Sequence, residues 1–376
     1  MRADKTSFRK RYFFKLLTNL LGSAVGIITQ AIVPRALGPS SYGNFSFLTS
    51  FFWQVIGFLN LNSSTAFYTK LSQRQQDKGL ISFYFYVTLV IGFAMVALIA
   101  ACYLIGIDQL IWPEQIGIFV VMAAIFSFLQ LYNNTLIQVS DAYGLTTKSE
   151  VLNMIQRVLG LLIIVFLFWV NGLTLLSYFI FQLFMSIIIF VFLCMMIQRY
   201  KSPLIAHWRL NKDQLKAYIK EFASFCLPLV IFSFFAIAEQ MLDRWFLQKF
   251  SGSTQQGFYS LAYQTGAICF LFVSAMIPLI MREYAISFAK NDIENMRQLF
   301  SKYSKMLFAI AAFFGCFLAV EAKNVMLIFG GQAFTGAILP ITIMCFYPIH
   351  QTYGQMNGAF FLPQREQKPT AISVSV

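Results

Sequence analysis

The sequence predicts an all-α integral membrane protein of about ten transmembrane helices, arranged as two lobes related by an internal repeat. Three observations carry this prediction. The 376 residues are 58% hydrophobic and only 11% charged, with a mean hydropathy of +0.67. The basic residues fall in short clusters that alternate between successive gaps in the apolar sequence. Finally, Tyr42-Gly43-Asn44-Phe45-Ser46-Phe47 is echoed by Gln256-Gly257-Phe258-Tyr259-Ser260-Leu261, and each copy follows an apolar run containing one proline, Pro34 and Pro228. Two halves of one transporter are the simplest reading of that echo.

A run of about 20 apolar residues crosses the hydrocarbon core. The candidates are Phe13 to Val33, Phe45 to Leu61, Leu80 to Ile105, Ile116 to Ile137, Val151 to Val170, Leu173 to Ile197, Phe222 to Phe246, Phe258 to Ile280, Met306 to Val320 and Ala337 to Tyr353. With this assignment and a cytoplasmic N-terminus, 24 of the 28 basic residues lie on the cytoplasmic side. The four external ones are Arg35, Arg244, Lys249 and Lys323. The polar connection from Arg199 to Lys220 divides the chain into an N-terminal lobe (1–198), a cytoplasmic connection (199–217) and a C-terminal lobe (218–376). The second lobe has four runs where the first has six, so it is expected to be incomplete.

Several function classes are excluded by this pattern. The net charge of +13 belongs to topology and anionic headgroups, and no nucleic-acid partner is implied. Cys102, Cys194, Cys226, Cys269, Cys316 and Cys345 lie in or beside apolar runs with no CxxC, which makes them core residues and leaves no metal site. His207 and His350 are far apart, and no GxSxG, Walker or HExxH motif occurs, so the chain reads as a non-enzyme that needs no cofactor. The basic N-terminus leads into a run too long for a signal peptide, which reads as the first anchor.

The pattern Ala36-Leu37-Gly38-Pro39-x-x-Tyr42-Gly43-x-Phe45, with Pro228, Asp243-Arg244 and Gly257-x-Tyr259, resembles the polysaccharide transporter branch of the multidrug/oligosaccharidyl-lipid/polysaccharide (MOP) exporter superfamily. It is most similar there to the Wzx-type O-antigen flippases. The resemblance implies two six-helix lobes around a cavity that opens alternately to either side of a bacterial inner membrane. It implies a substrate too, undecaprenyl-pyrophosphate-linked oligosaccharide, with membrane lipids, a polysaccharide polymerase and a chain-length regulator as further partners.

A pyrophosphate crossing a low-dielectric midplane needs Arg or Lys in a wet cavity. The candidate substrate-binding residues are Arg157, Arg244, Lys15 and Arg35, although Arg157 and Lys15 also suit snorkelling anchors. Glu239 and Asp243 are four apart on one helix face. As buried carboxylates they would exchange protons or bind a coupling cation; the alternative is an ordinary ion pair with Arg244 at an external helix end. Pro34 and Pro228 are the candidate gating kinks. Gly22 and Gly26 have the GxxxG spacing of close helix packing, Trp53 and Tyr68 could stack on sugar, and Asp141 reads as a loop or capping residue. Two rival functions remain. A membrane-embedded polysaccharide polymerase or ligase would call for a long external loop, which is lacking, and a drug exporter of the same superfamily would call for an acidic cavity.

Overall fold

The computed structural model describes residues 8–74, 77–201, 211–268 and 292–365, with scattered positions between 276 and 287. Its regular structure among these residues is entirely helical. In order, the elements are α1 (Phe8–Asn60), α2 (Ser63–Gln73), α3 (Lys78–Ile105), α4 (Asp108–Ile111), α5 (Gly117–Ala142), α6 (Thr146–Trp169), α7 (Leu175–Lys201) and α8 (Lys212–Ile268). There follow α9 (Ile293–Val320), α10 (Ala322–Phe329), a 3-10 turn (Gln332–Ala337), α11 (Ile338–Met344) and α12 (Tyr347–Arg365). Among the described residues, 7 helices are long and apolar enough to cross a membrane.

The first two apolar runs form a single kinked helix, α1, and the seventh and eighth form another, α8. The break in helical backbone falls at Gly38 (φ 73°, ψ 170°) and at Gly252 (φ 79°, ψ 177°). Both angles lie where a side chain is strained, so glycine permits the break and the expected proline kinks at Pro34 and Pro228 do not set it. The tenth run lies within Gln332–Asn357, one of those seven segments, and the chain turns inside it at Cys345 and Phe346, between α11 and α12.

By packing, the chain divides into residues 1–257 and 258–376. In the first unit α1 packs on α6 and α5, and α5 on α7. Lipid is as apolar as leucine, so association within spans rests on dispersion and close fit. Two aromatic-rich cores supply that fit. One holds Phe51, Phe52, Trp112, Val120 and Phe179, with Trp112 stacked on Phe52 at 5.9 Å. The other holds Phe67, Tyr84, Leu136 and Leu193 and takes in Phe222 of α8. Hydroxyls inside these helices return their hydrogen bonds to the backbone: Thr135 donates to the Leu131 carbonyl (2.9 Å) and Ser140 to that of Leu136 (2.9 Å). In the second unit α9 packs on α12. Gly266 and Gly315 each bring their backbone against the α11–α12 turn, at the carbonyls of Met344 and Cys345.

Candidate functional site

The repeat seen in sequence is a structural contact. A Cβ added at Gly43 would lie 1.9 Å from the Ser253 carbonyl oxygen, and one at Gly257 would lie 2.1 Å from that of Pro39. Gly38-to-Gly43 and Gly252-to-Gly257 have the same spacing, so each copy opens with a kink glycine and then crosses the other backbone to backbone. Only a residue without a side chain allows that approach.

The two copies solve the exposed helix N-terminus differently. In α1 the residue after the kink is Pro39, which has no N–H to satisfy. In α8 it is Ser253, whose backbone N–H (2.9 Å) and hydroxyl (2.7 Å) both donate to the Glu114 carboxylate. A carboxylate there also complements the positive end of the helix dipole. Glu114 belongs to the loop between α4 and α5, and its neighbours bind the same region. Gln115 donates to Asn44 (2.8 Å), Gln248 to the Pro113 carbonyl (3.2 Å) and Trp245 to the Leu110 carbonyl (3.1 Å).

At the opposite end of α8 a second set of polar contacts ties it to α2 and the start of α3. Glu221 accepts from Lys70 (2.7 Å) and from Arg74, and Tyr218 donates to Asp77 (2.7 Å). Partial burial acts to raise the Glu221 carboxyl, but hydrogen bonds and charge from Lys70 and Arg74 outweigh it and hold the group below its ordinary range. Burial, then the bond to Asp77, push the Tyr218 hydroxyl up to about 12. Between the two ends, Gln54 of α1 donates to Gln240 of α8 (2.8 Å).

A cavity of about 430 Å³ opens beside α1 and α5. Thr49, Ser50 and Trp53 line it from α1, and Phe126, Ser127, Gln130 and Asn134 from α5. None of these residues carries a charge. A second, smaller cavity between α3 and α5 is lined by apolar groups such as Phe93, Val96 and Phe128.

The residues singled out from sequence are dispersed. Arg35 and Arg157 are exposed, and Arg244 is half-buried and donates to Ser46 (3.3 Å). Arg157 lies across α1 at Gly22, where an added Cβ would stand 1.8 Å from its guanidinium nitrogen, whereas Gly26 has nothing within 4 Å. Gly22 therefore makes room for a side chain of α6. Glu239 and Asp243 are exposed, contrary to the burial expected of them, and neither makes a hydrogen bond or ion pair among the described residues. Pro34 is buried in α1. The side chains of Lys15 and Pro228, and the whole of His207 and Cys269, lie outside the described residues. The five described cysteines are free, and no group of three or more potential metal ligands occurs among the described residues.

Glu114, Gln248 and the neutral cavity were not anticipated. The cavity had a sequence signal: Ser127, Gln130 and Asn134 are spaced three and four apart in an apolar helix, so they share one face. Glu114 had none, because only the tertiary fold brings it to residue 253.

The helical fold is similar to that of solved transporters of the MOP superfamily. It is similar to an inward-facing multidrug-resistance MATE family transporter (TM-score 0.69, 13% identity, 94% of this chain and 85% of that one). Similarity extends to an outward-facing MATE transporter (TM-score 0.61, 14% identity, 95% and 82%) and to a MOP superfamily transporter from Pyrococcus furiosus (TM-score 0.61, 14% identity, 94% and 82%). At such identities the likeness establishes the fold. No curated protein matches the chain. The family model for polysaccharide biosynthesis proteins matches residues 8–283, and the chain belongs to that family. It is a multi-pass membrane protein with a MOP-type transporter fold.

Proposed function

We propose that this chain is a flippase that moves undecaprenyl-pyrophosphate-linked oligosaccharide, an O-antigen or similar surface polysaccharide unit, across a bacterial inner membrane by alternating access. The observation that carries this reading is membership of the polysaccharide biosynthesis family over residues 8–283 on a transporter fold. In the proposal the N-terminus is cytoplasmic, in keeping with the 24 basic residues assigned to that side. Lys15, Arg35, Arg157 and Arg244 supply positive charge along the pyrophosphate path, and Glu239 and Asp243, exposed on α8, couple an ion. A polysaccharide polymerase and a chain-length regulator receive the product.

Expression in a flippase-null strain, with membrane abundance as control and surface polysaccharide on a gel as readout, tests this reading. The wild-type chain is expected to restore polysaccharide. Arg157→Ala and Arg244→Ala are each expected to cut it roughly ten-fold or more at equal abundance, the loss of one charge-assisted bond. Normal polysaccharide from both variants would remove the two arginines from the mechanism. Drug resistance without polysaccharide would favour the exporter reading.

A further inference from the structure

The geometry points to the cavity between α1 and α5 as a subsite for the uncharged glycan, separate from whatever holds the pyrophosphate; the inference rests on the substrate class proposed above. Its volume, about 430 Å³, lies within the range of small-molecule sites, roughly 300–1,000 Å³. Its chemistry narrows the occupant. With no charged group among the seven lining residues it cannot neutralise a pyrophosphate, nor can it pair with a cationic drug. Although the surface it exposes is mainly apolar, five of its seven lining residues carry hydroxyl or amide groups that an acyl or polyprenyl tail has nothing to pair with, and the cavity beside Phe93 and Val96, which has none, suits such a tail better. A neutral molecule with hydroxyls and flat C–H faces uses both the hydrogen-bonding groups and the apolar surface.

Individual side chains are arranged for that role. Ser127 is 2% exposed, yet its hydroxyl has no hydrogen-bond partner, whereas Thr49, Thr135 and Ser140 donate to a backbone carbonyl one turn back. An unmatched hydroxyl in a spanning helix is costly, and this one is enclosed in the cavity wall, so a ligand hydroxyl would satisfy it only after a small side-chain shift. Gln130 is steadied by donating to Ser186 of α7 (3.3 Å), which leaves its carbonyl oxygen to accept from a ligand. Asn134 is exposed and makes no hydrogen bond among the described residues. Trp53, 44% exposed, presents an aromatic surface against which a sugar ring can pack.

Neither Asn134 nor Trp53 is part of the two aromatic cores, so substituting them leaves the fold in place. The test compares two probes on the full chain in amphipol by native mass spectrometry: bare undecaprenyl-pyrophosphate, and the glycan-bearing carrier extracted from the protein's own host. Trp53→Ala and Asn134→Ala are each expected to weaken retention of the glycan-bearing carrier roughly ten-fold, the size of one lost neutral contact, with bare carrier unchanged and Trp53→Phe close to wild type. Unchanged retention of the glycan-bearing carrier in both alanine variants would overturn the assignment while leaving the flippase reading intact. Equal weakening for both probes would overturn it too, by giving the cavity to the carrier. If the wild-type chain retained neither probe, the substrate class itself would fall and the subsite with it.

Discussion

Gly22, Gly43 and Gly257 all sit where one helix meets another, and what a methyl group would meet at each differs. At Gly43 and Gly257 it meets a backbone carbonyl, which cannot swing aside. At Gly22 it meets the end of the Arg157 side chain, which can. Gly43→Ala and Gly257→Ala are therefore expected to destabilise by on the order of 3 kcal/mol or more, as overpacking against a fixed neighbour does. Membrane abundance and the thermal midpoint of the purified chain would register it. Gly22→Ala is expected to leave both near wild type and only to displace Arg157. Equal losses at all three glycines would mean that Arg157 is as rigid as the backbone crossing.

Among the elements, α8 carries the most consequences. Its first limb is tied to α2 and α3 through Glu221 and Tyr218, to α1 through Gln240, to α4 through Trp245 and to the α4–α5 loop through Gln248. The Glu221 contact should respond to pH. A carboxyl held below its unfolded value of about 4.3 contributes stability above that value and loses it as pH falls through the lowered one. Tyr218 has a raised value, so its contribution is complete below about pH 10 and is lost only as pH rises through about 12. The tether is therefore expected to hold from about pH 5 to pH 10. A fluorophore on a cysteine at exposed Ser224 should keep its emission from pH 7 to about pH 5 and shift only as pH falls below the ordinary carboxyl value of about 4.3, and Glu221→Gln should reproduce the acid signal at pH 7. An emission that ignored both changes would show that the ion pair does not position α8. Sequence predicted the charges along this helix, but it could not pair them, since Lys70 and Glu221 are separated by most of the first unit.

For the whole molecule, segments expected on one side of the membrane meet one another in the fold. The α4–α5 loop joins the two kinks through Gln115–Asn44 and Glu114–Ser253, and all three segments are expected outside. The contacts of Lys70 and Arg74 with Glu221 join segments expected inside. Single cysteines at Asp108 and Asn171 are expected to react with an impermeant maleimide in intact cells, and one at Lys148 only after permeabilisation. The reverse pattern would invert the assigned orientation.

Most of the fold was legible in the sequence because a bilayer imposes a simple constraint: long apolar runs must be helices that satisfy their own backbone, and basic residues mark the gaps between them. The repeat was legible for a related reason, since Gly43 and Gly257 each had to remain free of a side chain, and the motif around them recurs with the same spacing. What sequence could not supply was adjacency. That the two glycines cross each other, and that Glu114 satisfies the Ser253 N–H beside the break at Gly252, depend on distances between segments remote in the chain. The cavity lies between these cases. Periodicity alone sets Ser127, Gln130 and Asn134 on one face, but only packing leaves the Ser127 hydroxyl without a partner and opens the cavity that the three residues line. Apolar pattern and helix period are local and are written into the chain, whereas a close contact or a void is a property of two surfaces at once, and the tertiary fold decides it.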